Sequence, residues 1–191
     1  MTRTRPYHHG ALRQAVLAAA ITAITESGPA DISLRDLARR AGVSHAAPAY
    51  HFGDKAGVLT AVAAQGYQLL ADALDDAQQR TGDFYEVGVA YVRFALDHRA
   101  HFEVMFRPEL YHAQDESVEA AQARAAEALY SGVSSLLGGR AGPDVQLSGV
   151  AAWSIVHGFA TLWLNKALPP TLGEDPEAAA RAIAGYLFRF Q

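Results

Sequence analysis

The stretch ISLRDLARRAGVSHAAPAYHFGDK, residues 32–55, decides the fold. Ser33 is placed to cap a helix with its hydroxyl, and Asp36, three residues on, sets an acid where the first-turn N–H groups lack partners. That helix stops at Ala41, because Gly42 can take the left-handed conformation that ends a helix, and Val43 then returns an apolar side chain to the core. Ser44 reads as the next N-cap. It opens a third helix to about Phe52 that tolerates Pro48 at its fourth position, where the missing N–H costs only the first bond of the ladder. Gly53-Asp54 breaks that helix, and Asp54 caps a longer one reaching about Ala77. Two short helices joined by a glycine-containing turn make a helix-turn-helix. In that motif the second helix enters the major groove while the first crosses the backbone. Ala38 and Ala41 suit a close crossing of the two, and Phe52 suits anchoring the second helix to the first.

Working outward, the chain reads as helix throughout. A first helix runs from about Gly10 to Thr25, with Leu17, Ile21 and Ile24 on one face, and Ser27-Gly28-Pro29 stops it. Later helices span about Phe84 to Asp97, Ala100 to Phe106, Asp115 to Leu137, Pro143 to Asn165 and Asp175 to Phe190. Breakers lie at Pro108, Gly138-Gly139, Gly142-Pro143, Pro169-Pro170 and Gly173. About a fifth of the 191 residues are alanine, the best helix former. The expected fold is all-α, about nine helices, with a helix-turn-helix domain over residues 1–54 and a second helical domain over 55–191.

The overall net charge of −4 divides unevenly. Residues 1–60 hold seven basic groups (Arg3, Arg5, Arg13, Arg35, Arg39, Arg40, Lys55) against four acidic ones (Glu26, Asp31, Asp36, Asp54), leaving +3 there and −7 in the rest. Such a head suits phosphates and such a body is repelled by them. The absence of cysteine excludes disulfide frameworks, thiolate zinc sites and cysteine nucleophiles. Arg3, Arg5 and Arg13 precede an apolar run, Ala15 to Ile24, but Thr22 and Thr25 interrupt it and no Ala-x-Ala site closes it, so a secretory leader is not expected. Gln146, Ser148, Ser154, His157 and Thr161 interrupt Val145 to Leu164, the most apolar stretch, and argue against a membrane span. A cytoplasmic location is expected.

The motif in residues 32–44, with YHFGDK at 50–55 and Val58-Leu59, strongly resembles the N-terminal signature of the tetracycline-repressor (TetR) family, over residues 10 to 60 or so. The resemblance implies a dimeric bacterial transcription factor, usually a repressor, released from a double-stranded DNA operator when a small molecule binds its body. Ser33 and Ser44 would then cap helices whose N-termini approach phosphates, with Arg35 beside them on the basic face. Lys55 would contact the backbone, and His45, Ala46, Ala47 and Tyr50 would lie nearest the base edges. Arg3, Arg5 and His8-His9 form an arm ahead of the first helix. The chain departs from the family at Ala49, where many members carry a tyrosine that meets phosphate. Tyr50 or His51 is left to replace it, turned by about 100° of helix.

The second domain gathers aromatic and soft side chains, of which Phe102, Met105, Phe106, Tyr111, Tyr130, Trp153 and His157 are the candidate effector contacts. They suit a small apolar or aromatic molecule, with His157 as the polar group and Trp153 four residues before it on the same face. The last two helices are apolar on more than one face, so pairing with a second copy in a four-helix bundle is expected. No Gly-x-Ser-x-Gly elbow, phosphate-binding glycine loop or H-E-x-x-H motif argues for an enzyme, and no cofactor is implied. The cluster His98, His101, Asp97, Glu103 and His112 is a poor match to helical zinc spacing, so no metal site is expected. The competing reading is a ligand-binding or scaffolding dimer with a degenerate head.

Overall fold

The computed structural model describes residues 8–136 and 142–187. Arg3, Arg5, Leu137, Gly138-Gly139, Phe188 and Phe190 lie outside the described residues, as do the side chains of His8 and His9. Among the described residues there are nine α-helices and no strand. They are α1 (His8–Ser27), α2 (Leu34–Ala41), α3 (Ala47–Phe52), α4 (Lys55–Thr81), α5 (Phe84–Asp97), α6 (Arg99–Met105), α7 (Glu116–Leu136), α8 (Pro143–Leu164) and α9 (Pro176–Leu187). Single 3₁₀ turns sit at Pro108–Leu110 and Pro170–Leu172.

The chain divides into two compact units, one comprising residues to Gly66 with Arg99–Glu119, the other Tyr67–His98 with Ala120 onward. A division by motif alone would fall after residue 54. The compact units fall otherwise because α4 runs unbroken from Lys55 to Thr81, while α6 packs against α1.

In the first unit, α1 buries Val16, Leu17, Ala20, Ala23 and Ile24, one stripe at three- and four-residue spacing. Helices α2 and α6 pack against α1, where Leu37, Ala38, Val104 and Met105 are buried, and Val58, Leu59 and Val62 of α4 are buried as well. Gly66 permits the approach of α6: a Cβ there would lie 2.5 Å from Met105 Sδ.

In the second unit, α5 packs against α8 and α9 around Val89, Val92, Phe159, Ala179 and Ala180. Two paired ion bridges fasten α5 to α9, Arg93 to Glu177 at 2.6 Å and Arg181 to Glu86 at 2.7 Å. Asp144–Leu164 of α8 is long and apolar enough to cross a membrane by length and composition, as a core helix of a soluble protein also can be. The helix also leaves large apolar side chains exposed: Leu147 (70%), Leu162 (45%), Val150 (44%) and Trp153 (38%).

Candidate functional site

The geometry of α2 follows its sequence closely. The Asp36 N–H donates to the Ser33 hydroxyl at 3.2 Å, and Ser33 has the extended backbone of an N-cap. At the other end Gly42 has φ 65°, its N–H donates to the Arg39 carbonyl, and the Val43 N–H reaches back to the Ala38 carbonyl at 3.0 Å. These two bonds close a Schellman motif.

The start of α3 differs from expectation. Ser44 does not cap it. The helix opens at Ala47 with Ala46 as N-cap and no side-chain cap bond, so Pro48 is its second residue, not its fourth. Proline is accommodated best in the first turn, where its N–H has no partner to lose, and the helix begins accordingly. Ala47 and Pro48 are buried, while His45, Ala46, Ala49 and Tyr50 are exposed, Tyr50 at 78%. Ala47, expected at a base edge, is buried in the head. His51 is half-buried, edge-on to the Tyr50 ring at 5.1 Å, so Tyr50 is the more outward of the pair. The recognition helix is pinned from α1 by the Arg13 guanidinium, 5.1 Å over the Phe52 ring.

Around this helix the cations differ in their commitments. Arg35 is exposed. Asp36 accepts from both Arg39 and Arg40, and Arg40 also reaches Glu26 of α1 at 2.7 Å. The hydrogen bonds from Arg39, then Arg40, hold the Asp36 carboxyl below its usual range. Lys55 Nζ donates to the Ala30 carbonyl, tying the start of α4 to the turn before α2. Asp54 caps α4 as expected, accepting the Gly57 N–H at 2.8 Å.

The seven candidate effector contacts fall in both units. Phe102, Met105, Phe106 and Tyr111 belong to the first, where Phe102 and Phe106 meet edge-to-face and the Tyr111 hydroxyl donates to the Met105 carbonyl at 2.9 Å. Tyr130, Trp153 and His157 belong to the second. There, Trp153 Nε1–H donates to the Tyr91 hydroxyl at 3.2 Å, and that hydroxyl lies 2.8 Å from His157 Nδ1. Burial pushes the Tyr91 phenol well above its ordinary range and the His157 imidazolium below its own. A neutral imidazole that accepts from Tyr91 at Nδ1 carries its proton on Nε2. An open cleft of about 170 Å³ in the second unit is lined by Asp76, Arg80, Ala90, Arg93, Phe94 and Asp97 among others, and by none of the seven.

Two family descriptions match the chain. Residues 16–62 match "Bacterial regulatory proteins, tetR family", and residues 84–186 match "Tetracyclin repressor-like, C-terminal domain". The chain belongs to the TetR family. Solved structures agree with the family's fold over nine-tenths or more of the chain. A protein of unknown function from a Rhodococcus species is 31% identical, with a TM-score of 0.80 over 98% of each chain. The TetR-family transcriptional regulator PfmR from Thermus thermophilus is 25% identical, with a TM-score of 0.68 over 91% of this chain and 97% of that one. NalD of Pseudomonas aeruginosa, 22% identical, has a TM-score of 0.59 over 93% and 94%. No curated protein sequence matches the chain. As a TetR-family member it is a DNA-binding transcriptional regulator whose helix-turn-helix is α2 and α3.

Three residues of this TetR-family head were not singled out from the sequence for the part they play. Gly57 has no room for a side chain, Arg13 holds Phe52, and Glu26 anchors Arg40. Gly57 carried a signal, since glycine in the first turn of a long helix is costly unless something approaches it closely.

Proposed function

We propose that the protein is a homodimeric repressor, released from its operator by a small apolar or aromatic effector. The observation that carries this reading is the outward face of α8. Leu147, Val150, Ala151, Ser154 and Leu162 are exposed at helical spacing, and a Cβ at Gly158 would meet nothing within 4 Å. On α9 Ala178 and Ala182 are exposed, and a Cβ at Gly185 would likewise meet nothing within 4 Å. An apolar stripe of this kind loses free energy in water, and two copies related by a two-fold axis bury it mutually. The two recognition helices then address half-sites about one DNA turn apart, ~34–36 Å, or somewhat more.

The DNA contacts assigned are Ser33, Arg35, Ser44, His45, Ala46, Tyr50, His51 and Lys55, with Ser44 acting through its backbone neighbourhood, not as a cap. For the effector, Trp153, His157 and Tyr91 supply a polar group in apolar surroundings. Effector binding in the second unit shifts α4, which continues from the head, and so changes the spacing of the recognition helices. The protein carries out no reaction of its own and acts in the cytoplasm, where bacterial DNA lies.

The test is sedimentation of the wild-type chain beside Leu147→Glu, with each binding duplex DNA from the promoter upstream of its own gene. Dimeric wild type, monomeric variant and DNA binding lost only in the variant support the reading. A monomeric wild type, or a dimeric variant that binds as well, refutes the proposed interface.

A further inference from the structure

We propose that the head reads its operator through thymine C5-methyl groups, by a surface made of Ala46, Ala49 and Tyr50. The inference rests on the DNA-binding role of the head and goes beyond it to what the DNA must present. Between Gly42 and Gly53 there is no arginine, lysine, asparagine or glutamine. Those four supply the bidentate pairings that pick out guanine and adenine in the major groove. The recognition segment therefore cannot read purine edges in that way.

What it does expose is narrower. Ala47 and Pro48 are buried and His51 is half-buried against Tyr50, so the outward set is Ser44, His45, Ala46, Ala49 and Tyr50. The last three share one face. The Tyr50 N–H donates to the Ala46 carbonyl at 2.9 Å, placing the two residues one turn apart, with Ala49 beside them. Two methyl groups and an aromatic ring form an apolar strip about one helical pitch long, ~5.4 Å. That length spans neighbouring base steps ~3.4 Å apart.

In the major groove thymine alone presents an apolar group, its methyl. A guanine or cytosine edge pressed against the same strip loses water without gaining a partner, which penalises it. The strip therefore selects two or three thymines within neighbouring steps of each half-site. Ser44 and His45 add polar contacts at the rim, and the exposed Arg35 serves phosphate and carries no base information.

The experiment is selection of a random duplex pool by the full chain, followed by rebuilding the enriched site with uracil for thymine, one position at a time. Uracil removes only the methyl. The expected result is two or three positions per half-site where the replacement weakens binding about fourfold, the worth of one buried methyl, and little change elsewhere. Tyr50→Phe keeps the affinity, and Tyr50→Ala abolishes the methyl effect at one step; the side chain is 78% exposed, so neither variant disturbs the fold. An enriched site indifferent to uracil everywhere overturns the methyl reading while leaving DNA binding intact. So does a Tyr50→Phe variant as weak as Tyr50→Ala. Absence of any enrichment overturns the DNA-binding role itself.

Discussion

Gly57 offers the sharpest test of the head's geometry, because helix propensity and packing predict opposite signs for Gly57→Ala. In a helix that change ordinarily gains about 1 kcal/mol. Here the added Cβ would lie 1.8 Å from the Phe52 carbonyl oxygen, against a closest tolerable approach of 3.0 Å, so the end of α3 must retreat by about 1.2 Å. Overpacking against side chains costs about 1–3 kcal/mol, and a carbonyl at the end of a helix yields less than a side chain does. With about 3 kcal/mol against and 1 in favour, the net loss is about 2 kcal/mol, or ~4–8 °C in Tm for a chain of this length. Urea unfolding followed by circular dichroism measures it. Gly10→Ala is the control, since nothing lies within 4 Å of its Cβ, and it should gain up to about 1 kcal/mol. The same retreat misplaces the recognition helix, so operator affinity should fall about tenfold, near the worth of one base contact. A Gly57→Ala protein as stable as wild type, alongside a stabilised Gly10→Ala, would refute the close approach.

Ser33→Ala removes the hydroxyl that caps α2 and should cost about 1 kcal/mol in the same urea assay, whereas Ser44→Ala should cost little, because Ser44 caps nothing. Tyr91→Phe strips the hydroxyl that joins Trp153 to His157 and should destabilise the second unit by about 1–3 kcal/mol, measurable by thermal melting; an unchanged Tm would mean that the hydroxyl holds nothing. Because burial depresses the folded-state pKa of His157, its contribution is complete above the ordinary value of 6.5 and is lost as pH falls through the lower folded value, a slope that His157→Gln should remove. Glu86 and Glu177 are held below 4.5 chiefly by their hydrogen bonds to Arg181 and Arg93, so their stabilisation is present above pH 4.5 and fades below it. Replacing both by glutamine should flatten acid unfolding in that range.

The helix-turn-helix was legible because its signals are local. Ser33, Asp36 and Gly42 act within one turn of themselves, and each stands where the cap and the left-handed turn require. The start of α3 was misplaced because two local signals compete there, a serine suited to capping and a proline suited to the first turn, and the proline prevails. Gly57 and Arg13 act on Phe52 from outside α3, and no spacing rule announces such encounters. The effector candidates were harder still. Aromatic side chains at helical spacing reveal which face of a helix is buried but not what it meets, and those at 102–111 prove to belong with the head's compact unit. On α8 composition signalled that burial was needed, while only the exposed Leu147, Val150 and Leu162 reveal that the chain alone does not provide it.

The clamp of Asp36 on Arg39 and Arg40 bears on how such a regulator finds its target in a genome. Counterions released from random sequence set non-specific affinity, and two arginines already paired with Asp36 and Glu26 release fewer than their number suggests. A head so restrained dwells briefly at wrong positions, so fewer copies are sequestered among the millions of competing sites.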